Sequence, residues 1–183
     1  MQIENIEQNQ SNAPWTEKYR PRDLSELIAN PHVTSTLSAY LAANNLPNLL
    51  FYGTPGTGKT STILACARKL YGSAYRYMVI ELNASDDRGI QTVRKTIKQF
   101  AESKPPLQNQ TVSFKLVVLD EADAMTKEAQ AALRRMIEKF SRTTRFCLIC
   151  NHVSLRGKPY NTRPTVSLHS IQVRQHPSWS SIR

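Results

Sequence analysis

The segment G-T-P-G-T-G-K-T, at residues 53–60, constrains the fold more than any other part of the sequence. It matches the phosphate-binding pattern G-x-x-x-x-G-K-[ST], in which glycines allow unusual backbone turns and let N–H groups approach phosphate oxygens. The pattern works between a strand and a helix, because the helix N-terminus adds its positive dipole end. An apolar run precedes the segment and a helical pattern follows it. An incidental glycine-rich turn is the alternative, which the eight-residue match in this context disfavours.

Strand-like and helix-like segments alternate along the chain after the first 45 residues. Short β-rich runs are separated by longer segments with apolar residues at helical spacing. Helices are predicted at about 31–45, 60–70, 89–101 and 127–140, and strands at N-L-L-F-Y, M-V-I-E-L, K-L-V-V-L and R-F-C-L-I-C. The alternation predicts an α/β fold of the P-loop NTPase type, with a parallel sheet that helices cover on both faces.

Polar residues that follow the predicted strands extend the candidate site. Lys59 is placed to reach the β- and γ-phosphates, and Thr60 to ligate Mg²⁺. Four apolar residues predict a buried strand whose carboxyl end delivers Asp120 and Glu121 to the crevice where open α/β sheets bind ligands. Asp120 is predicted to hold Mg²⁺, and Glu121 to polarise the attacking water as general base. Without the phosphate loop, two such carboxylates would more often mark an ordinary strand end.

Asn151 ends the last predicted strand and should reach the same crevice. A neutral amide there can bind the γ-phosphate or the attacking water without adding charge. The alternative is a cap or turn asparagine, and spacing alone favours neither interpretation. The tetrapeptide D-E-A-D at residues 120–123 also names a class of RNA helicases, but a chain of 183 residues is too short for two motor domains in tandem.

Composition limits the compartment and the partners. Three cysteines give no disulfide framework, and Cys147 and Cys150 share one apolar run without a second pair, which favours buried strand cysteines over a zinc site. Neither a signal peptide nor a run of about 20 apolar residues is found, so we expect no membrane association. The net charge of +10 favours a polyanionic partner, although residues 152–183 carry five positive charges and leave +5 for residues 1–151 (19 minus 14).

Five motifs, in order, resemble the AAA+ family and, more closely, the small subunits of the eukaryotic replication factor C clamp loader. They are P-W-T-E-K-Y-R-P, L-L-F-Y-G-T-P-G-T-G-K-T-S-T, E-L-N-A-S-D-D-R-G-I, L-D-E-A-D-A-M-T-K-E-A-Q-A-A-L-R-R and T-R-F-C-L-I-C-N, all within about residues 14–151. The resemblance implies a nuclear, ATP- and Mg²⁺-binding subunit of a hetero-pentamer. That assembly loads a sliding clamp onto primer-template DNA, and D-E-A-D is then a Walker B sequence.

The resemblance also implies roles for individual residues in the nucleotide site. The E-K-Y-R-P segment would close over adenine, Asn151 would sense the γ-phosphate, and Asn83 would hold the catalytic Glu121 inactive until a partner binds. The predicted catalytic residues are Lys59, Asn83, Glu121 and Asn151. The predicted nucleotide contacts are Thr16, Tyr19, Arg20, Ile28, Gly53, Thr54, Pro55, Gly56, Thr57, Gly58, Lys59, Thr60 and Ser61.

The third predicted helix would carry the macromolecular contacts. Clamp loaders track the DNA backbone through helix N-termini, which makes Arg88, Arg94 and Lys98 the candidates here, and a solvated helix face is the alternative. The end of this helix would meet the sliding clamp through Ile97 and Phe100. Periodicity alone favours the alternative, in which both side chains pack into the core.

After Asn151 the sequence departs from the family, whose serine-arginine-cysteine motif, fifth core strand, helical lid and collar domain are not found. The expected organisation is therefore a disordered N-terminus at 1–13, a partial AAA+ domain at 14–151 that is truncated before the fifth strand, and a disordered, basic, non-family tail at 152–183, as in a short isoform or a defective product. Losing the strand would remove roughly 6 to 15 kcal/mol of apolar burial. It would expose an edge at residues 48–52, unless the tail, which has no strand or helix signal beyond the short V-S-L-H-S-I, replaces some of the missing pairing.

Two other functions stay open at this point. One is a truncated form that does not hydrolyse ATP and competes with a full subunit for clamp or subunit contacts. The other is a small-molecule P-loop kinase, for which the acceptor-binding lid and its arginines are not found.

Overall fold

The structure is a computed structural model that describes residues 19–21, 23–26, 31–85, 90–103, 112–151 and 168–172. Its helices are α1 (Pro31–Ala42), α2 (Lys59–Tyr71), α3 (Tyr75–Met78), α4 (Ile90–Glu102) and α5 (Lys127–Phe140). Its strands are β1 (Asn48–Tyr52), β2 (Val79–Asn83), β3 (Lys115–Asp120), β4 (Thr144–Cys150) and β5 (Leu168–Gln172). Short 3₁₀ turns span Leu24–Glu26, Gly72–Ala74 and Ala122–Ala124.

The five strands form one parallel sheet in the order β2-β3-β4-β1-β5. Because all strands run the same way, their carboxyl ends meet at one edge of the sheet, where open α/β proteins bind ligands. β4 lies between β1 and β3, so the loops that follow those two strands approach each other across its end. This order brings the phosphate loop, the D-E-A-D turn and Asn151 to one place.

The sheet separates two hydrophobic cores, and side chains of each central strand alternate between them as strand geometry requires. In β3, Leu116 and Val118 face the first core and Val117 and Leu119 the second. α1 and α2 supply buried residues to the first core, and α4 and α5 to the second. The predicted arrangement of a parallel sheet with helices on both faces is confirmed.

Local sequence explains where the helices of the second layer form. In α4, Val93, Ile97 and Ala101 recur every four residues, which places all three on the buried face. α5 begins after Thr126, whose hydroxyl oxygen accepts a hydrogen bond from the Ala129 backbone N–H at 3.3 Å, as an N-cap does. The apolar stripes of both helices close the second core.

A fifth strand from the tail lies beside β1, which is the alternative to an exposed edge that the sequence left open. β5 pairs with β1 along its whole length, from Asn48 opposite Leu168 to Tyr52 opposite Gln172, and Ile171 is buried in the first core. The tail thus replaces the pairing that the family strand would give, because a sheet edge is bound by backbone groups and one apolar face. For residues 168–172, the expected disorder is wrong, and the edge of β1 is not exposed.

Among the helices in the described ranges, none is long and apolar enough to cross a membrane. Cys147 and Cys150 are buried in β4, as predicted, on opposite faces of the sheet. Burial raises the pKa of the Cys150 thiol to about 11 and that of Cys147 well above the ordinary value.

Candidate nucleotide-binding site

The phosphate loop turns on residues whose backbone conformation favours glycine. Gly56 and Gly58 have φ angles of 75° and 81°, in the left-handed region that other residues enter at a cost. A Cβ atom built at either position would meet no atom within 4 Å. The loop therefore requires glycine for its conformation, and the space beside it is open enough for phosphate groups to approach the backbone.

Lys59 is the first residue of α2 and is almost completely buried, with 6% of its surface exposed. Its ammonium group donates hydrogen bonds to the carbonyl oxygens of Gly53, at 2.9 Å, and Thr54, at 2.8 Å. Burial lowers the pKa of this ammonium group, while the charges of Asp120 and Asp123 and the nearby thiol of Cys150 act in the opposite direction. The cation lies inside the loop, beside the carboxylates that follow β3.

Thr60 and Asp120 meet across the site although 60 positions separate them in the sequence. The Thr60 hydroxyl donates a hydrogen bond to Oδ2 of Asp120 at 2.6 Å, and Oδ1 of Asp120 accepts one from the Glu121 backbone N–H at 2.8 Å. A hydroxyl and a carboxylate are the hard oxygen ligands that Mg²⁺ takes in nucleotide sites, usually with water and phosphate oxygens. The two residues fit the predicted magnesium site.

Glu121 has a left-handed backbone conformation, with φ 51°, which is unusual for a residue other than glycine. It ends the straight path of β3 and begins the 3₁₀ turn at Ala122–Ala124, where the Ala124 N–H donates to the Glu121 carbonyl oxygen at 2.9 Å. Strained backbone of this kind costs about 1 to 3 kcal/mol and is found often at active sites. The turn places a half-buried carboxylate beside Asp120 at the strand end.

Two predicted asparagines lie at the ends of β4 and β2, the strands on either side of β3. Asn151 follows β4 and is half-buried, and its backbone N–H donates to Oδ2 of Asp123 at 3.4 Å. Asn83 ends β2 opposite Asp120, but its side-chain oxygen accepts hydrogen bonds from the N–H and the hydroxyl of Ser85, both at 2.9 Å. In the described part of the chain no hydrogen bond joins Asn83 to Glu121, so its predicted restraining role stays a prediction.

The N-terminal segment docks on the far end of the helix that begins at the phosphate loop. Arg68 of α2 donates to the Pro21 carbonyl oxygen at 3.2 Å, and Leu24 is buried in the first core. Tyr19 is 70% exposed and Arg20 is half-buried. The predicted contacts Thr16 and Ile28 lie outside the described residues, and the adenine role of the segment stays a prediction.

The residues predicted to contact macromolecules differ in burial along α4. Arg94 and Lys98 are exposed, as DNA contacts require, and Arg88 lies outside the described residues. Ile97 is 0% exposed, so its prediction as a clamp contact is wrong: its place on the apolar stripe directs it into the second core. Phe100 is half-buried against the same core, between the two interpretations that the sequence left open.

Sequence reasoning missed two charged residues that the structure places in specific contacts. One is Asp123, which belongs to the D-E-A-D motif but had no assigned part, and which the structure joins to Asn151. The other is Lys115, which bonds to the end of α4. The motif was a signal for the first residue. The position of Lys115 at the start of an apolar run gave no signal of its contacts, because its partners are decided by packing.

Comparison with known proteins identifies the sequence family. The sequence profile of the family described as ATPase family associated with various cellular activities (AAA) matches residues 49–166. The chain is 61% identical over 140 residues to the probable replication factor C subunit 5 of Dictyostelium discoideum, with 76% of this chain and 40% of that protein covered. It is 54% identical over 157 residues to replication factor C subunit 3 of Schizosaccharomyces pombe, with 86% and 45% covered.

A third relative, human replication factor C subunit 5, is 56% identical over 144 residues, with 78% of this chain and 42% of that protein covered. The chain thus spans less than half the length of these curated relatives. The predicted resemblance to the small subunits of replication factor C is confirmed as a sequence relationship.

Solved structures agree on the fold. The Thermotoga maritima RuvB Holliday junction branch migration motor matches with a TM-score of 0.61 at 19% identity, over 84% of this chain and 48% of that one. The Aeropyrum pernix Orc1 protein, solved in complex with DNA, matches with a TM-score of 0.58 at 21% identity, over 87% and 47%. At these identities the likeness shows the fold alone.

Proposed function

Because the chain belongs to the AAA family of ATPases, we propose that it is an ATP-binding subunit of a replication clamp loader that places a sliding clamp on primed DNA. The observation that carries the nucleotide part is the 2.6 Å contact between Thr60 and Asp120, which joins a phosphate loop to a Walker B carboxylate. The clamp-loader part is supported by relatives named replication factor C subunits at 54 to 61% identity.

The nucleotide would bind along the loop and the start of α2. Backbone N–H groups of residues 53–60 would cradle the phosphates, and the dipole of α2 favours their negative charge. Lys59 would exchange its two loop carbonyl acceptors for phosphate oxygens, since it already lies inside the loop. Thr60 and Asp120 would hold Mg²⁺, which when bound neutralises charge that develops on the phosphate oxygens.

Hydrolysis would depend on residues at the ends of β3 and β4. Glu121, turned out of the strand by its left-handed backbone, would accept a proton from the attacking water as general base. Asn151 would contact the γ-phosphate through its uncharged amide. Asn83, one strand further along the same edge, would restrain Glu121 in a partner-dependent state.

The partner surfaces would lie on α4 and on neighbouring subunits in a nuclear hetero-pentamer. The exposed Arg94 and Lys98 would contact the DNA backbone, each contributing about 1 kcal/mol in a salt-sensitive way. Phe100, half-buried at the other end of the helix, would be the remaining clamp contact. Residues 14–151 would form the family domain, with β5 added from the tail.

The test is reconstitution of the complete chain with the other clamp-loader subunits. We expect the chain to co-purify with them and Glu121→Gln to keep Mg-ATP binding while ATP turnover in the assembly falls by about 100-fold or more, the size of a general-base contribution. Glu138→Gln, an exposed position on α5, is the matched control and should change neither.

Other outcomes would overturn the proposal in distinct ways. Assembly without any effect of Glu121→Gln on turnover would favour a competing form that does not hydrolyse ATP. Robust ATP hydrolysis by the chain alone would contradict a subunit that depends on its partners.

A further inference from the structure

The carboxylate of Asp123 makes a contact that the proposed nucleotide chemistry does not yet use. Asp123 lies in the 3₁₀ turn after β3, three residues beyond Asp120. Its Oδ2 accepts the hydrogen bond from the Asn151 backbone N–H at 3.4 Å, across the gap between the ends of β3 and β4. A side chain of the D-E-A-D turn thus holds the residue that begins the loop after β4.

Strand pairing explains why the end of β4 needs this contact. On the β1 side the pairing continues to Tyr52 opposite Cys150, and the Cys150 thiol donates to the Phe51 carbonyl oxygen at 3.6 Å. On the β3 side the pairing ends earlier, at Leu119 opposite Leu148. Beyond that pair, Asp123 supplies an acceptor on the β3 side, so the end of β4 is held from both neighbours.

The charge of Asp123 is placed where it also bears on the phosphate loop. The carboxylate acts on the Lys59 ammonium, favouring its charged form, and so adds to the effect of Asp120. An asparagine at this position could accept the same hydrogen bond but would not contribute this charge. Hydrogen bonding and charge can therefore be separated by substitution.

We propose that Asp123 is a positioning residue. By fixing the backbone of Asn151, it fixes the position of the Asn151 side-chain amide relative to the γ-phosphate. It thereby sets the preference of the site for ATP over ADP. The inference rests on the proposed function, in which Asn151 contacts the γ-phosphate. Asp123 itself touches neither the nucleotide nor the metal in this proposal. Its removal should lower the affinity for ATP more than the affinity for ADP.

The experiment compares dissociation constants of Mg-ATP and Mg-ADP for the 183-residue chain and five variants, one of them a surface control. Asn151→Ala should reduce the ratio of ATP to ADP affinity by about tenfold, the loss of one hydrogen bond to a charged group. Asp123→Ala should reduce it comparably, Asp123→Asn should retain most of it, and the double variant Asp123→Ala with Asn151→Ala should match Asn151→Ala alone. Glu138→Ala is the surface control, and thermal melts check that each variant is folded.

The outcomes separate the inference from the proposed function. If Asn151→Ala leaves the ratio unchanged, the proposed γ-phosphate contact fails. If Asn151→Ala lowers it but Asp123→Ala does not, or if the two losses add in the double variant, Asp123 does not act through Asn151. If Asp123→Asn loses as much as Asp123→Ala, charge at Lys59 rather than the hydrogen bond is responsible, which also overturns the positioning role.

Discussion

Lys59 and Lys115 are two buried lysines at opposite ends of the sheet, and they look alike by most measures. Lys59 follows the carboxyl end of β1, and Lys115 is the first residue of β3. They are 6% and 4% exposed, each donates to backbone carbonyl oxygens, and burial lowers the pKa of both. Burial and a lowered pKa therefore do not identify a binding lysine.

The surroundings of the two ammonium groups do distinguish them. Lys59 bonds to a glycine-rich loop beside open space, with two carboxylates acting on its charge. Lys115 bonds to the carbonyl oxygens of Phe100 and Ser103 and to the Ser103 hydroxyl, and it lies 5.0 Å from the centre of the Phe100 ring. These are the last carbonyl groups of α4 and the residue after it, which lack helical partners and carry partial negative charge.

The difference is that the hydrogen bonds of Lys59 can be replaced by hydrogen bonds to a ligand, whereas Lys115 caps the C-terminal end of α4. Lys115 uses all three of its donors, on two carbonyl oxygens and one hydroxyl at the end of α4, so no ligand can be added without breaking a structural bond. Lys59 bonds to two carbonyl groups of a loop whose residues are exposed or half-buried, where water or phosphate can replace either partner. Function follows from which bonds can be exchanged.

The largest expected difference is in nucleotide binding. Lys59→Ala should weaken Mg-ATP binding by on the order of 100-fold, because the only cation inside the loop among the described residues is removed. Lys115→Met should leave the affinity unchanged, since its bonds lie at the other end of the sheet. Isothermal titration of both variants measures this, and equal losses would erase the distinction between the two lysines.

The next difference should be in stability without nucleotide, with the order reversed. Lys115→Met should lower the free energy of unfolding by about 1 to 3 kcal/mol, because it removes the charged donor that binds two carbonyl oxygens and one hydroxyl at the end of α4. Lys59→Met should cost less than about 1 kcal/mol, since the loop carbonyl groups can bond to water. Urea denaturation of both variants decides the point, and a larger loss for Lys59→Met would contradict it.

The smallest expected effect is on the pH dependence of stability. Because burial lowers the pKa of Lys115 from its ordinary value of 10.5, the unfolded chain binds more protons than the folded one between the lowered value and 10.5. Within that window the free energy of unfolding gains from Lys115 as pH rises, by at most about 1.4 kcal/mol per pH unit. The difference in unfolding free energy between wild type and Lys115→Met should therefore grow with pH.

Lys95→Met, at an exposed position of α4, serves as the control for this pH measurement because it removes a lysine but retains the contribution of Lys115. Denaturation of the three proteins at a series of alkaline pH values isolates that contribution, since the other titrating groups are shared by wild type and Lys115→Met. A difference that stays constant with pH would show that the Lys115 pKa is the same in both states.

Local sequence determined the parts of this protein that depend on neighbours along the chain. The strand at residues 48–52 and the helix at 127–140 were predicted with the bounds that the structure has, because an apolar run and an amphipathic repeat need no distant partner to be recognised. The phosphate loop and the carboxylates after β3 were predicted from spacing. Their convergence followed from parallel strands ending at one edge.

Only the tertiary structure decided the contacts between segments far apart in sequence. Residues 168–172 form a strand because the edge of β1 is available for pairing. Ile97 is buried because α5 packs over the second core. The partners of Lys115 and Asp123 are set by how β3 meets α4 and β4. The type of a side chain shows which groups it can bond to, but its actual partner is fixed by packing. Packing depends on interactions between all parts of the chain.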